Sequence, residues 1–473
     1  MSRLLLLFSL LVLPLGAQAA RRPNIILVMA DDLGSAELSC TGSEVIKTPH
    51  IDALRKDGLL FTRAYAGAPV CAPSRCVLLT GRDLLHAQIR DNAEMPNPSE
   101  EIFGGQPGLA KGTATIARLL KNAGYRTGCF GKWGLGGAHA NAMSGHPLDQ
   151  GFDRFFGYLC QRNAHSYWPT YLEDDRARLD LPGNERTHGD QWAPDLITAK
   201  ALAWLALDKK RPYFLYFPSI IPHLALQAPA DLVQAIPVIE GDTPYTDNRY
   251  QPCERPRATY IAMVQRLDQH VGQLVQAVRE RGELANTLFI ITSDNGATWK
   301  LGGYDAPWFR GNAALRGHKG DVFEGGLRVP LIASWSGVTP RGASSDTPVG
   351  HVDWLRTISA LAGCDEKVSS EGADLSGILR GEKISAANPR PLAFEFPQGD
   401  GAQAVVLGHW KGVRIGSRKN ASAPLQLFDL QADPGEKQDI ATSHPDIVAA
   451  MSRILAERTP ASRPGWEFPK EQR

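Results

Sequence analysis

The chain has 473 residues, with 51 Lys and Arg against 50 Asp and Glu and a formal net charge of +1. So even a balance excludes a global basic field for nucleic acid or an anionic lipid surface, and any preference for anions has to be local. The seven cysteines, at positions 40, 71, 76, 129, 160, 253 and 364, show no Cys-x-x-Cys metal spacing and predict no disulfide framework.

In chain order, Arg3, an apolar run from Leu4 to Leu15 and the small-residue triplet Ala17-Gln18-Ala19 read as a signal peptide over residues 1–19, which makes this an exported protein, periplasmic or secreted if bacterial. No later stretch is long and apolar enough to span a membrane. Asn24 to Ala30 is a continuous apolar run of the kind a parallel strand buried on both faces shows, and it stops at Asp31-Asp32. Thr48-Pro49 opens a short helix, Leu59 to Ala66 reads as a strand, and Tyr125 to Gly131 is a strand ending at Lys132-Trp133-Gly134.

The alternation continues with a helix over Leu196 to Leu207 and a strand from Tyr213 to Phe217 that leads to Pro222-His223. A long amphipathic helix from Tyr260 to Arg281 precedes a strand from Thr287 to Ser293, which ends in Asp294-Asn295-Gly296. Four strands thus hand over to polar residues. In open α/β sheets, ligands bind beyond the carboxyl ends of the strands, so these residues should converge on one edge.

After a Gly-rich loop (Ala314 to Pro330), a strand from Leu331 to Trp335 and a helix from His351 to Leu361, the pattern changes. Short strands at Leu392 to Phe396, Ala404 to Leu407, Trp410 to Ile415 and Leu425 to Leu430, then a helix from Pro445 to Arg458, predict a small antiparallel sheet with a helix. The expected organisation is a catalytic α/β domain over 20–368 and a C-terminal α+β subdomain over 391–473.

Asp31, Asp32, Asp294 and Asn295 offer three carboxylates and one amide carbonyl, an oxygen donor set for a hard divalent cation rather than zinc. The stretch Cys71-Ala72-Pro73-Ser74-Arg75, followed by Thr80-Gly81-Arg82, resembles the sulfatase signature, and the resemblance extends over 24–361. It implies an alkaline phosphatase-like fold, a large mixed but mostly parallel sheet flanked by helices. It also implies that a formylglycine-generating or sulfatase-maturating enzyme oxidises Cys71 to formylglycine (3-oxoalanine), whose hydrate attacks sulfur.

By the same resemblance, Asp31, Asp32, Asp294 and Asn295, together with residue 71, would hold calcium in preference to magnesium. Arg75, Lys132 and Lys319 match the family's cationic clamp, and His223 matches the histidine that protonates the leaving alcohol. Many relatives carry a histidine two residues after the lysine matched by Lys132, where this chain has Gly134; His139 and His146 are the nearby substitutes, of which His146 is preferred. His165 is expected in the substrate pocket, with specificity set by the loops between Gly136 and Pro194 and between Leu226 and Pro256. The implied activity is hydrolysis of a sulfate monoester carried by a carbohydrate. The rivals are a phosphate or phosphonate monoester hydrolase on the same scaffold and a catalytically silent glycan-binding homologue; Cys71 and Asn295 argue against the zinc phosphatases, which use a Ser or Thr nucleophile and His-rich ligation.

Overall fold

The computed structural model describes residues 22–94, 106–137, 145–364, 369–382, 390–457, 459 and 465–468. The expected signal peptide and His139 lie outside them. Among the described residues the strands of the larger unit are β1 (Asn24–Ala30), β2 (Leu59–Phe61), β3 (Ala64–Tyr65), β4 (Arg126–Lys132), β5 (Arg154–Tyr158), β6 (Tyr171–Asp174), β7 (Ala177–Asp180), β8 (Tyr213–Pro218), β9 (Thr287–Ser293), β10 (Leu331–Trp335) and β11 (Ala343–Ser345). A short β12 (Val349–Gly350) follows, and the C-terminal strands are β13 (Leu392–Phe396), β14 (Ala402–Leu407), β15 (Trp410–Ile415) and β16 (Gln426–Asp429).

Ten strands form one mixed sheet in the order β11-β2-β10-β9-β1-β8-β4-β5-β6-β7. At its centre β9, β1, β8, β4 and β5 run parallel. β1 is buried on both faces: Ile25, Leu27 and Met29 pack into one core, Ile26 and Val28 into the other. This is why the strand reads as an unbroken apolar run rather than an alternating one. Helices Cys71–Thr80, Ile116–Asn122 and Trp354–Ala362 contribute to the first core, and Pro49–Lys56, Ala193–Ala206 and Pro256–Glu280 to the second.

The expected strand from Leu59 to Ala66 is divided in two. β2 joins the large sheet, whereas β3 leaves it and pairs with β12 in a separate two-stranded ladder. That departure carries the chain toward the face where helix Cys71–Thr80 packs. β5, β6 and β7, in the stretch expected to hold specificity loops, lengthen the sheet past β4.

The C-terminal strands form an antiparallel meander, β13-β14-β15-β16, turned between β14 and β15 by Gly408-His409. Helix Pro445–Ala456 lays Met451 and Leu455 on Val405 and Leu427. Among the described residues no helix is long and apolar enough to cross a membrane, and all seven cysteines are free.

Candidate active site

Strand register builds the site. Ala30 pairs with Ser293 and Met29 with Pro218, so the residues that follow β1, β8 and β9 emerge side by side, and Lys132 ends β4 on the far side of β8. Asp31, Asp32, Lys132, His223, Asp294 and Asn295 are all buried there. Asp32 takes a left-handed backbone (φ 67°), held by its N–H donating to Asp294 Oδ1 at 3.1 Å. Gly296 is required by close approach, because a Cβ there would lie 1.9 Å from the Gly325 carbonyl oxygen. That contact presses the Asp294-Asn295 turn against the loop carrying Lys319.

Helix Cys71–Thr80 starts at the signature and is buried throughout. Val77, Leu78 and Leu79 anchor it in the core, each contributing about 1.5–3 kcal/mol by burial. Gly81 ends it in the left-handed conformation (φ 61°). Val70 provides no side-chain cap; Asn92 Oδ1 instead accepts from the Ala72 N–H at 2.8 Å. Ser74 Oγ accepts from Gly67 N at 3.0 Å and lies 3.2 Å from His351 Nδ1. Neither Asn92 nor His351 was identified from sequence. Burial, followed by the charge of Arg75, pushes the His351 imidazole down to about 3, so the ring is neutral.

Cys71 Sγ sits 3.4 Å from Asp31 Oδ1 and 3.9 Å from Asp32 Oδ1. Burial, then Asp294, pushes its thiol far above the usual range against the pull of Lys132 and Lys319. As a thiol it is protonated and a poor nucleophile. Lys132 Nζ donates to Asp31 Oδ2 at 2.6 Å, and Lys319 Nζ donates to Asp32 Oδ2 at 2.8 Å and to His223 Nε2 at 3.1 Å. Burial would raise the Asp31 carboxyl, but Lys132, His223, Arg75 and Lys319 together hold it well below the usual range. Burial and the neighbouring Asp31 push Asp294 up to about 7 despite Arg75.

Arg75 lies beneath this layer. Its Nε and Nη2 donate to Asp294 Oδ2 at 3.1 and 2.7 Å, and Nη1 to the Lys132 carbonyl at 2.7 Å. Fully enclosed, it orders the carboxylates and the Lys132 backbone, and its charge reaches the site through them. Lys319 is the more accessible cation, with 19% of its side chain exposed.

Asn295 Nδ2 donates to Asp32 Oδ1 at 2.8 Å and to the Gly296 carbonyl, which orients its Oδ1 as the remaining acceptor. Among the described residues that oxygen is buried without a hydrogen-bond partner. An orphaned amide carbonyl beside three carboxylates fits a hard cation, and Asp31, Asp32, Cys71 and His223 also present ligand atoms within 4.8 Å of one another.

His223 Nδ1 pairs with the Leu224 carbonyl, which makes it the protonated nitrogen and turns Nε2 to the cluster. Burial, then Lys319, pushes this imidazole down to about 4. The His165 ring lies 4.7 Å from it, on the side where Tyr250 stands 6.2 Å from His165.

His146 is placed elsewhere, and the role expected of it is corrected. Its Nδ1 accepts from Leu148 N at 3.2 Å, its Nε2 faces the Asp175 carbonyl at 3.0 Å, and its ring packs edge-on against Phe155. It caps the turn at Pro147–Gln150, so both nitrogens are spent on backbone. The space beside Gly134 is taken by neutral amides: a Cβ there would lie 3.2 Å from Gln161 Nε2, which donates to Asn92 Oδ1 at 3.3 Å.

The profile of the Sulfatase family matches residues 23–364. Human arylsulfatase A is 31% identical over 94% of this chain and 89% of its own length. An N-acetylgalactosamine-6-O-sulfatase of Bacteroides thetaiotaomicron is 26% identical over 93% of each. The crystal structure of Ps i-CgsB, also solved in complex with k-i-k-neocarrahexaose, superposes with a TM-score of 0.75 at 28% identity over 92% of both chains. With its mixed sheet, small C-terminal sheet and a family match over residues 23–364, the chain belongs to the sulfatase family of sulfuric ester hydrolases.

Proposed function

We propose that this hydrolase is exported and removes sulfate from a carbohydrate, using formylglycine made from Cys71 by a maturating enzyme and calcium held by Asp31, Asp32, residue 71, Asp294 and Asn295. The observation that carries the reading is the placement of Cys71, buried with its Sγ 3.4 Å from Asp31 Oδ1 and 3.9 Å from Asp32 Oδ1 in a preorganised charge cluster, where burial pushes the thiol toward its protonated form. An unmodified thiol has no use there as a nucleophile. Conversion would supply the nucleophilic oxygen, and calcium would supply Lewis acidity and orient oxygen ligands. Three carboxylates and an orphaned carbonyl suit the high and flexible coordination of calcium better than magnesium, which keeps several waters.

Asp31, Asp32 and Asp294 set against Arg75, Lys132 and Lys319 leave the protein cluster close to neutral. A divalent cation would turn it positive, as an anionic ester requires. Lys132 and Lys319 offer preorganised charge to the sulfate oxygens as the S–O bond to the alcohol lengthens. His223 Nε2 faces the same space and would donate the proton that the departing alkoxide takes up. An anion seated between Lys319 and His223 offsets the ammonium charge that depresses the imidazole, favouring the Nε2–H form when it is needed. Relatives named for N-acetylgalactosamine 6-sulfate and a relative solved with neocarrahexaose support a sulfated sugar as substrate.

The test is mass spectrometry of the tryptic peptide Ala64 to Arg75 from protein made in its native host, paired with turnover of an aryl sulfate. The expected result is an aldehyde at position 71 together with sulfate release. An intact thiol in active protein overturns the formylglycine reading.

A further inference from the structure

Beyond His165 the site continues into a cavity of about 380 Å³. Its wall carries Arg162, Arg186 and Arg249 together with His165 and Tyr250 and, among the described residues, no carboxylate. His165 is the shared wall between the two spaces, 4.7 Å from the His223 ring on one side and 6.2 Å from Tyr250 on the other. Arg162 lies between β5 and β6, Arg186 follows β7, and Arg249 lies between β8 and β9, so the cavity is made only when these separate segments fold together.

The arginines are held differently. Arg186 has a left-handed backbone (φ 66°). Its carbonyl accepts from Ser166 Oγ at 2.7 Å and from Gln227 Nε2 at 3.1 Å, its N–H donates to the Trp168 carbonyl at 2.9 Å, and its Nη1 donates to Asn163 Oδ1 at 3.2 Å. A non-glycine residue stays in that conformation only where its surroundings fix it. Arg162 and Arg249 pair with Glu94 and Asp247 at 2.9 Å each, with 60% and 66% of their side chains exposed. Exposed pairs of this kind are weakly held and readily exchanged for another anion. Guanidinium groups bind sulfate and carboxylate oxygens through paired donors, whereas a neutral sugar needs no such concentration of charge.

We propose that this cavity is a subsite for a second anionic substituent, a sulfate or a uronate carboxylate, carried by the same saccharide that presents its scissile sulfate to the cluster. The inference rests on the proposed function, because His223 marks the side on which the alcohol leaves and therefore the direction in which the sugar extends. The enzyme then acts on a polyanionic glycan, and discrimination resides in the arginines rather than in the catalytic groups.

The experiment compares the matured wild-type enzyme with R162Q/R249Q, whose altered side chains are exposed, and separately with R186Q. Each is assayed on 4-nitrophenyl sulfate, on a monosulfated monosaccharide, and on matched saccharides bearing a second sulfate or a uronate. Wild type is expected to prefer a doubly charged saccharide, and the ratio of kcat/KM for that saccharide over the monosulfated one should fall roughly tenfold or more in R162Q/R249Q, through KM. Which doubly charged saccharide wild type prefers identifies the anion. A ratio unchanged in both variants, while 4-nitrophenyl sulfate is still hydrolysed, overturns the subsite and leaves the sulfatase reading intact. Wild type that carries the aldehyde yet hydrolyses none of the sulfates overturns both.

Discussion

Two buried clusters of charge share the loop from Arg316 to Gly326, and they are built to opposite ends. In the first, Lys319 joins Asp32, His223, Asp31, Lys132, Asp294 and Arg75. In the second, five residues further on, Glu324 meets Lys411 of β15, which bridges to Glu436, with Lys411 Nζ 3.0 Å from an oxygen of each. The second is fastened by its own partners. Glu324 Oε2 takes Tyr65 and Arg328, Glu324 Oε1 accepts from Lys411, and Glu436 Oε2 takes the Glu324 N–H; Glu436 Oε1 is ion-paired with Lys411 but, like the Asn295 carbonyl, has no hydrogen-bond partner among the described residues. The first leaves the Asn295 carbonyl orphaned and opens past His223 and His165. Buried ion networks are not in themselves evidence of chemistry; a set of ligand atoms from Asp31, Asp32, Cys71 and His223 within 4.8 Å of one another and an adjoining cavity distinguish the working cluster from the fastening one.

The comparison breaks at its strongest point with C71A, which removes the precursor of the nucleophile. It is expected to cut aryl sulfate turnover roughly 10⁴-fold or more while leaving the unfolding midpoint close to wild type. K319M should lower kcat/KM by roughly 10²- to 10³-fold, as the loss of one preorganised charge does. Its counterpart K411M should act on stability instead, because it strands Glu324 and Glu436 without their cation. A loss of about 3–5 kcal/mol in urea unfolding is expected. If K411M costs turnover but not stability, the two clusters are not distinct in kind.

N295A tests the orphaned carbonyl. Calorimetric calcium affinity should fall about 10- to 100-fold, and chelation should abolish wild-type activity with recovery on adding calcium.

The mildest probe is pH. His351 is pushed from 6.5 down to about 3 in the fold, so between those values the unfolded chain binds the extra proton. Its contribution to stability is therefore complete above pH 6.5 and is lost as pH falls toward 3. H351Q, which keeps polar atoms near Ser74 and Gly67, should flatten that acid limb in urea titrations between pH 4 and 7.

Much of the candidate site could be read from the chain because parallel strands put their carboxyl ends on one edge. A buried apolar run followed by Asp31-Asp32, Lys132 or Asp294-Asn295 already implies a shared location. Register then does what the sequence could only suggest, with Ala30 opposite Ser293. The C-terminal sheet was equally legible, since its turns and alternation are local. Asn92, Gln161 and His351 were not, because each acts on a residue distant in sequence: His351 reaches Gly67 across 284 positions. No local pattern marks such a partner.

His146 shows the converse. Sequence offered a histidine on the right loop, and only the packing of Phe155, Leu148 and Asp175 revealed that its ring caps a turn. What the sequence determined by itself is the family, the central strands with the polar residues that end them, and the C-terminal strands, because local periodicity and contiguous motifs carry that information. What tertiary structure alone decided is which side chains share an environment: that Arg75 lies beneath the carboxylates, that the Asn295 carbonyl is left without a hydrogen-bond partner among the described residues, and that Arg162, Arg186 and Arg249 meet in one cavity. Burial, orphaned acceptors and charge convergence are properties of positions in space, and positions in space are set only when distant segments pack.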